Sequence, residues 1–170
     1  FAGCDSAGLS GGLALFWCEQ LCVDVKEVNE RFIHAHIRAS PKEPEWRFTC
    51  IYGEPRVENR NHMCSLLQNL KMQSDLPWCV LGDFNEAMWS FEHLSLTPRG
   101  EQQMLAFRDT LEVCGLMDLG FSGLPFTYDN KREGRRNVKV RLDRVVADNE
   151  WRDLFADAAV THLVSACSDH

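Results

Sequence analysis

Two short segments carry the side chains that could hydrolyse a phosphodiester. Residues 82–86 read Gly-Asp-Phe-Asn-Glu, and the last three residues read Ser-Asp-His. Their carboxylate, amide and imidazole groups belong to Asp83, Asn85, Asp169 and His170. Phosphodiester hydrolysis needs an aligned water and positive charge at the transition state, and a divalent cation held by carboxylates supplies that charge. The residue types therefore indicate metal-assisted attack on a phosphoester.

The spacing of Asp83 and Asn85 suggests how they would share this work. If the backbone stays extended, residues two apart point to the same side, and Phe84 between them is buried. Asp83 would then orient or deprotonate the water, and Asn85 would donate to a phosphate oxygen. An Asp-Asn pair in a turn is also a common capping device, so a purely structural role stays open.

A third carboxylate, Asp143, follows Arg141 and Leu142 at the start of an apolar segment. A buried carboxylate is costly unless it has a partner, and His170 could be that partner. If Asp143 accepts from one ring nitrogen, it fixes the imidazole tautomer and leaves the other nitrogen to face the phosphate. Asp169 could then ligate the metal. The alternative is that residues 168–170 are only a polar terminus.

Short strands and two amphipathic helices would position these residues. Glycine-flanked apolar runs and alternating segments predict strands, and apolar residues at helical spacing predict helices. The predicted strands are 9–17, 23–28, 32–39, 48–52, 78–81, 116–118, 126–128, 141–146 and 158–164. Helices are predicted after a cap at Asn59 and over 101–114, with a helical turn at 149–155. Mixed elements without a regular repeat favour two packed sheets with outer helices.

Composition limits the partners. The chain has 170 residues, a net charge of −7 and a pI near 5.3, which suits one domain and excludes a grip on nucleic acid by bulk electrostatics. No run of eighteen apolar residues exists, so no membrane partner is expected. The eight cysteines are scattered and predict buried, reduced thiols, not a zinc set.

One stretch is concentrated in positive charge. Residues 131–141 hold six cations against one carboxylate around a central glycine. This pattern is typical of a solvated hairpin tip or of a phosphate-contacting loop, and both interpretations stay open. In the second interpretation Arg132, Arg135, Arg136 and Lys139 are the candidate phosphate-contacting, nucleic-acid-binding residues.

In their order along the chain, the segments 82–85, 141–143 and 168–170 resemble the endonuclease/exonuclease/phosphatase superfamily, which includes abasic-site endonucleases and DNase I. Segments 10–17, 52–55 and 118–128 further resemble the endonuclease domain of plant LINE-type non-LTR retrotransposons. The resemblance covers essentially all 170 residues.

This resemblance implies an α/β fold, a four-layered α-β-β-α sandwich of two mixed sheets flanked by helices, with Mg²⁺ or Mn²⁺ as cofactor. It implies that Asp83 orients or deprotonates the water, that Asn85 positions the phosphate, and that Tyr52 donates a hydrogen bond in the transition state. Tyr52 could equally be a packing residue. By the same match, Asp143 supports His170, His170 acts on the phosphate, and Asp169 helps to hold the metal.

The implied task is to nick one strand of target DNA, so that the exposed 3′ hydroxyl primes reverse transcription. The DNA backbone would be the substrate partner, a covalently linked reverse transcriptase domain a further partner, and the location nuclear if the retroelement is active.

The sequence also departs from the family. The family begins with strands bearing an Asn and a metal-binding Glu, and both motifs should precede Phe1; a strand should also follow His170. We therefore expect residues 1–170 to form one domain that is incomplete at both termini and has weak or no activity. The alternatives are a non-catalytic remnant or binding fragment, and a phosphatase of inositol phosphates or lipids.

Overall fold

The computed structural model describes residues 1–6, 12–164, 168 and 170, and within them short strands alternate with three α-helices. The strands are β1 (Ala2–Cys4), β2 (Leu13–Leu15), β3 (Cys22–Val28), β4 (Phe32–Arg38), β5 (Trp46–Tyr52), β6 (Trp78–Asp83), β7 (His93–Leu94), β8 (Met117–Asp118), β9 (Ser122–Gly123), β10 (Tyr128–Asp129), β11 (Lys139–Val140), β12 (Asp143–Ala147) and β13 (Thr161–His162). The helices are α1 (Asn61–Gln73), α2 (Glu101–Val113) and α3 (Asn149–Leu154).

The largest sheet has six strands in the order β3-β4-β5-β6-β12-β8. It is mixed, because β5 and β6 are parallel and its other neighbours are antiparallel. The parallel pair needs a crossover, which α1 provides. Smaller sheets are formed by β1 with β2, by β10-β11-β7, and by β9 with β13. The architecture is the predicted mixed α/β class, with sheets and flanking helices.

The main core lies between the six-stranded sheet and helices α1 and α2. Trp78 and Val80 of β6 are fully buried there against Leu67 of α1 and Leu111 of α2. Because side chains alternate along a strand, Cys79 points to the opposite face and packs near Trp151 of α3. Burial on both faces explains the apolar residues at 78–80, whereas Leu81 is exposed.

Strand register brings three of the predicted site residues into one row. In the parallel pair β5–β6, Tyr52 lies opposite Asp83; in the antiparallel pair β6–β12, Asp143 lies opposite Asp83. Residues opposite each other in a sheet share a face. Positions that are 31 and 60 residues apart in the sequence (52, 83 and 143) therefore meet at one edge of the sheet.

Some local predictions were wrong. Helix α1 begins at Asn61 with Arg60 at the N-cap and no side-chain cap bond, whereas Asn59 lies in a preceding 3-10 turn. Of the predicted strand 9–17, only Leu13–Leu15 is a strand among the described residues, and positions 9–11 lie outside them. Cys18 and Cys22 are exposed, although all seven described cysteines are free thiols. No helix in the described part of the chain is long and apolar enough to cross a membrane.

Candidate active site

Asp83 lies at the carboxyl end of β6, with its side chain 12% exposed. Burial and the neighbouring charge of Asp143 raise the pKa of Asp83 to about 6, although hydrogen bonding from Asn85 and the charges of His170 and Arg60 oppose the shift. A carboxyl group with this pKa can exchange a proton near neutral pH.

The glycine before Asp83 fixes the close approach of the two parallel strands. Gly82 has a φ of 145°, and a Cβ atom at this position would lie 2.1 Å from the carbonyl oxygen of Ile51. Only glycine allows this contact, because any side chain would collide with backbone. Gly82 is therefore required by the pairing of β5 with β6.

Asn85 donates hydrogen bonds to both carboxylate oxygens of Asp83, and its side chain does not lie parallel to that of Asp83. Its backbone is left-handed (φ 53°), so the predicted extended conformation is wrong. Its backbone N–H donates to Asp83 Oδ1 (2.7 Å), and its amide Nδ2 donates to Asp83 Oδ2 (3.0 Å) and to the carbonyl of Gly53 (3.1 Å). Asn tolerates this backbone region because its short side chain bonds locally. Phe84 is fully buried, as predicted.

Two arginines hold the loop that follows. Glu86 is 3% exposed, and it accepts from Arg60 Nη1 and from Arg99 Nε, both at 2.7 Å. Arg99 Nη2 also donates to the carbonyl of Asn85 at 2.8 Å. These two ion pairs of Glu86 were not predicted from the sequence, although a glutamate directly after a buried strand is a residue that needs a partner.

His170 and Asp143 lie together, in the arrangement that the sequence analysis predicted. His170 Nδ1 lies 2.7 Å from Asp143 Oδ2, and its Nε2 lies 3.9 Å from Asp83 Oδ2. The backbone N–H of Asp143 donates to the Thr127 hydroxyl at 2.9 Å. Burial tends to raise the pKa of Asp143, but hydrogen bonds with His170 and Thr127 outweigh it and the pKa falls below its usual range. An ionised Asp143 accepts a hydrogen bond from Nδ1–H, and this bond orients Nε2 towards Asp83.

The site opens into a cleft of about 470 Å³. Asp143, His170 and Lys131 line it together with the rings of Phe126 and Tyr128. The Tyr128 ring lies against the His170 ring, with 5.4 Å between centroids. Tyr52, the third member of the row, borders Asp83 on the other side, and Arg31 lies over its ring at 5.8 Å.

The basic stretch forms a hairpin between β10 and β11, and its cations have different environments. Arg132, Arg135 and Arg136 are exposed. Lys139 is paired with Asp129 at 3.0 Å, and Lys131 Nζ donates to the carbonyl of Ser168 at 2.6 Å. The exposed cations therefore project from a hairpin whose base adjoins His170.

Arg141 does not belong to this exposed set, because it is 5% exposed and lies in a buried group of four charges. We call this group the four-ion network; its members are Glu92, Asp118, Arg141 and Arg144, joined by four ion pairs of 2.8 to 3.0 Å. This network was not predicted from the sequence. Arg141 and Arg144 flank the start of an apolar strand, and this spacing indicates buried guanidinium groups, which need carboxylate partners.

The predicted metal ligand, Asp169, lies outside the described residues. Among the described residues, no three His, Cys, Asp or Glu side chains are grouped so that they could hold a metal ion. The donors of Asp83 and Asn85 are nonetheless the oxygen ligands that Mg²⁺ prefers. Burial and the charge of Asp143, which raise the pKa of Asp83, both disfavour its negative charge, and a bound cation would offset this cost. The residues fit a divalent cation in donor type.

Comparison with known proteins agrees with this fold. The sequence profile described as "Endonuclease/Exonuclease/phosphatase family" matches residues 3–170. No curated protein matches the sequence.

Three of the matching solved structures illustrate the shared fold. The endonuclease domain of TRAS1, a telomere-specific non-LTR retrotransposon, superposes with a TM-score of 0.63 at 19% identity, over 81% of this chain and 60% of that one. The AP endonuclease LMAP from Leishmania major gives 0.56 at 17% identity, over 71% and 46%. A hairpin-deletion mutant of beta toxin from Staphylococcus aureus gives 0.53 at 14% identity, over 83% and 54%. The chain therefore spans about half of the length of these structures.

Proposed function

Because the chain belongs to the endonuclease/exonuclease/phosphatase family, we propose that it is a metal-dependent phosphodiesterase domain that nicks DNA for a retroelement. The observation that carries the proposal is the row formed by Tyr52, Asp83 and Asp143, with His170 bonded to Asp143 and turned towards Asp83. Residues 1–170 would act as one domain.

Asp83 would take the proton of the attacking water. Its pKa of about 6 keeps it mostly ionised at pH 7 but basic enough to accept a proton. The two hydrogen bonds from Asn85 fix the orientation of the carboxylate, so Asn85 acts on the water through Asp83. Tyr52, next to Asp83 in the row, would donate its hydroxyl to the phosphate in the transition state.

His170 would act on the phosphate itself. His170 Nδ1–H would donate its hydrogen bond to Asp143, so Nε2 is the ring nitrogen that would face the substrate. When it is protonated, Nε2 can donate to a phosphate oxygen, and the neighbouring carboxylates stabilise the imidazolium. Thr127 keeps Asp143 in place through its hydrogen bond to the Asp143 N–H.

Asp169 would hold Mg²⁺ or Mn²⁺, which when bound supplies positive charge to the phosphorane-like transition state. This assignment rests on family membership and on the oxygen donors of the site.

DNA is the substrate that the surface favours. With a net charge of −7, the chain can meet a polyanion only through a local patch. The hairpin that carries the exposed Arg132, Arg135 and Arg136 also contributes Asp129 and Lys131 to the lining of the cleft. The similarity to the TRAS1 endonuclease domain supports a retroelement, and with it a linked reverse transcriptase domain and nuclear action.

A plasmid-nicking assay in Mg²⁺ tests the proposal. We expect Asp83→Asn and His170→Gln each to lower the nicking rate by about 100-fold or more, the usual contribution of a positioned acid or base. Asp153→Asn is the matched control, because Asp153 is exposed on α3, away from the row. Equal rates for the parent and all three variants would exclude these catalytic roles.

A second candidate, a DNA-binding fragment without catalysis, has one observation in its favour: the described residues include no group of three potential metal ligands. Calorimetric titration with Mg²⁺ separates the two candidates. One-site binding that Asp169→Ala abolishes supports the enzyme, whereas the absence of binding together with retained DNA affinity supports the fragment.

A further inference from the structure

The segment just before helix α2 brings one guanidinium group to the loop that follows Asp83. Arg99 precedes Gly100, the N-cap of α2, and its side chain is 13% exposed. Its Nη2 donates to the carbonyl oxygen of Asn85 at 2.8 Å, and its Nε donates to Glu86 Oε1 at 2.7 Å. The planar guanidinium therefore bonds two consecutive residues of the loop and fixes them relative to each other.

The carbonyl that Arg99 binds belongs to a residue with an unfavourable backbone torsion. Asn85 is left-handed, and a residue other than glycine keeps this conformation only where its surroundings hold it. In this conformation its N–H and its Nδ2 amide both donate to the Asp83 carboxylate. Rotation about the Cα–C bond of Asn85 would move its carbonyl, so the bond from Arg99 opposes that rotation. Arg99 thus stabilises the conformation in which Asn85 holds Asp83.

Glu86 anchors Arg99 in the interior of the protein. Its side chain is 4% exposed, and its second oxygen, Oε2, accepts from Arg60 Nη1 at 2.7 Å. Oε1 also accepts from the N–H of Ala87 at 3.1 Å. Arg60 directly precedes α1 and Arg99 lies just before α2, so the loop is bonded to the start of both helices. Charge-assisted bonds of this kind give the Arg99 guanidinium a defined place from which to act on Asn85.

The same loop offers a second arginine for comparison. Arg108 of α2 has its side chain 17% exposed, pairs with a glutamate of its own helix at 2.6 Å and donates to the carbonyl of Met88. The N–H of Met88 donates to Glu92 at 2.6 Å, whereas that of Asn85 donates to Asp83. Arg108 therefore stabilises the loop without orienting the carboxylate.

From these contacts we propose that Arg99 is a positioning residue of the candidate active site: by holding the carbonyl of Asn85, it keeps the Asn85 N–H on Asp83 and fixes the direction of that carboxylate. The inference rests on the proposed function, because this carboxylate is the proposed base. Positive charge alone does not suffice, since one group must reach acceptors in two consecutive residues. A guanidinium does so with its planar fork, whereas an ammonium is a single point charge.

Amide hydrogen exchange, followed by NMR on the metal-free protein at constant pH, measures the positioning directly. In Arg99→Gln the Asn85 amide should exchange about tenfold faster than in the parent, the effect of losing one hydrogen bond that opposes local opening. The amide of Phe84, which donates to the Leu142 carbonyl at 3.0 Å, should keep its rate and reports that the strands stay paired. Arg108→Gln should leave both amides unchanged.

Nicking kinetics in Mg²⁺ provide the second measurement. Arg99→Gln should lower kcat about tenfold or more with little change in KM, because a misplaced base slows the chemical step and does not weaken DNA binding. Arg99→Lys keeps the charge but not the planar fork, so it should show most of the same loss and the same faster exchange at Asn85. Arg108→Gln should retain the kcat of the parent.

The outcomes are distinct. Faster exchange at Asn85 alone in the two Arg99 variants supports the positioning role, even if the parent does not nick DNA and the proposed function fails. Unchanged exchange at Asn85 in Arg99→Gln, or an equal acceleration in Arg108→Gln, overturns it, even if the parent nicks DNA. An Arg99→Lys variant that matches the parent in exchange and in kcat assigns the effect to charge and also overturns it. If Arg99→Gln loses protection at Phe84 as well, that variant is unfolded and Arg99→Lys decides by the same comparison.

Discussion

The four-ion network and the candidate active site each hold two carboxylates beside strand β12, yet these carboxylates have different partners. Glu92 and Asp118 face two guanidinium groups, whereas Asp83 and Asp143 share one imidazole. The two clusters are neighbours, since Asp143 and Arg144 are consecutive and their side chains leave β12 on opposite faces.

The difference in partners reverses the electrostatics. Burial alone raises the pKa of Glu92 and of Asp118, but hydrogen bonds and charges from the arginines outweigh it, and both pKa values fall below the usual range. For Asp83, burial and the charge of Asp143 dominate, and the pKa rises to about 6. Strand β12 thus adjoins a cluster whose ionisation stabilises the fold and one carboxylate, Asp83, whose ionisation destabilises it.

The largest effect on stability should come from a substitution in the four-ion network. Glu92→Gln removes one charge from the four-ion network and leaves a buried arginine unmatched, which should lower the free energy of unfolding by about 3–5 kcal/mol. Urea denaturation measures this change, with Glu112→Gln, an exposed residue of α2, as the control. A loss below about 1 kcal/mol, the range of surface pairs, would contradict the comparison.

A substitution of Asp83 in the candidate active site should change the free energy of unfolding in the opposite direction. At pH 7 without divalent cations, Asp83→Asn removes a destabilising buried charge and should raise the free energy of unfolding by about 2 kcal/mol. The variant would then be more stable than the parent although it nicks more slowly. If instead Asp83→Asn destabilises the protein, the carboxylate is not an uncompensated charge.

The stability difference between the parent and Asp83→Asn should depend on pH. The folded-state pKa of Asp83, about 6, exceeds its ordinary value of 3.8, so the folded state binds the proton more tightly. The parent should therefore gain about 1 kcal/mol relative to the variant as the pH falls from 7 to 5, and the difference should approach zero only near about pH 3, below the ordinary pKa. Denaturation at several pH values checks this. A difference independent of pH would assign the effect to another group.

The smallest effect on stability should come from the exposed hairpin. Arg136→Gln should change the free energy of unfolding by less than about 0.5 kcal/mol, as surface substitutions usually do. The slope of log affinity for DNA against log salt should nevertheless fall by about 1, because one phosphate contact is lost. Arg152→Gln, an exposed arginine on α3, should leave the slope unchanged. Equal slopes for the two variants would remove the hairpin from the DNA interface.

Much of the fold and of the candidate site could be predicted from the sequence, because periodicity and motif spacing are local signals. The strand Phe32–Arg38, the buried run that begins at Trp78 and the helix from Glu101 all appear in the structure, although His34, predicted on the exposed face of its strand, is buried. So does the contact between His170 and Asp143, which was inferred from the rule that a buried carboxylate needs a partner.

The rest depended on distant partners or on a single backbone torsion. Arg141 was grouped with the exposed cations because its neighbours in sequence are basic, whereas its partners Glu92 and Asp118 are 49 and 23 residues away. The left-handed backbone of Asn85 is set by the hydrogen bonds that it makes to Asp83 and Gly53. The local pattern of hydrophobicity identifies neither the partners of Arg141 nor the backbone torsion of Asn85.

The contact between Gly82 and the Ile51 carbonyl also bears on how this site could change during evolution. A slip of one residue in β6 would turn Asp83 to the opposite face of the sheet and separate it from Asp143. Such a slip would also place a residue other than Gly82 beside the Ile51 carbonyl. A Cβ atom at the Gly82 position would lie only 2.1 Å from that oxygen, so the close contact disfavours other registers. Lineages descended from this chain can vary the loops around the cleft, while the pairing of two strands preserves the alignment of the acids from one generation to the next.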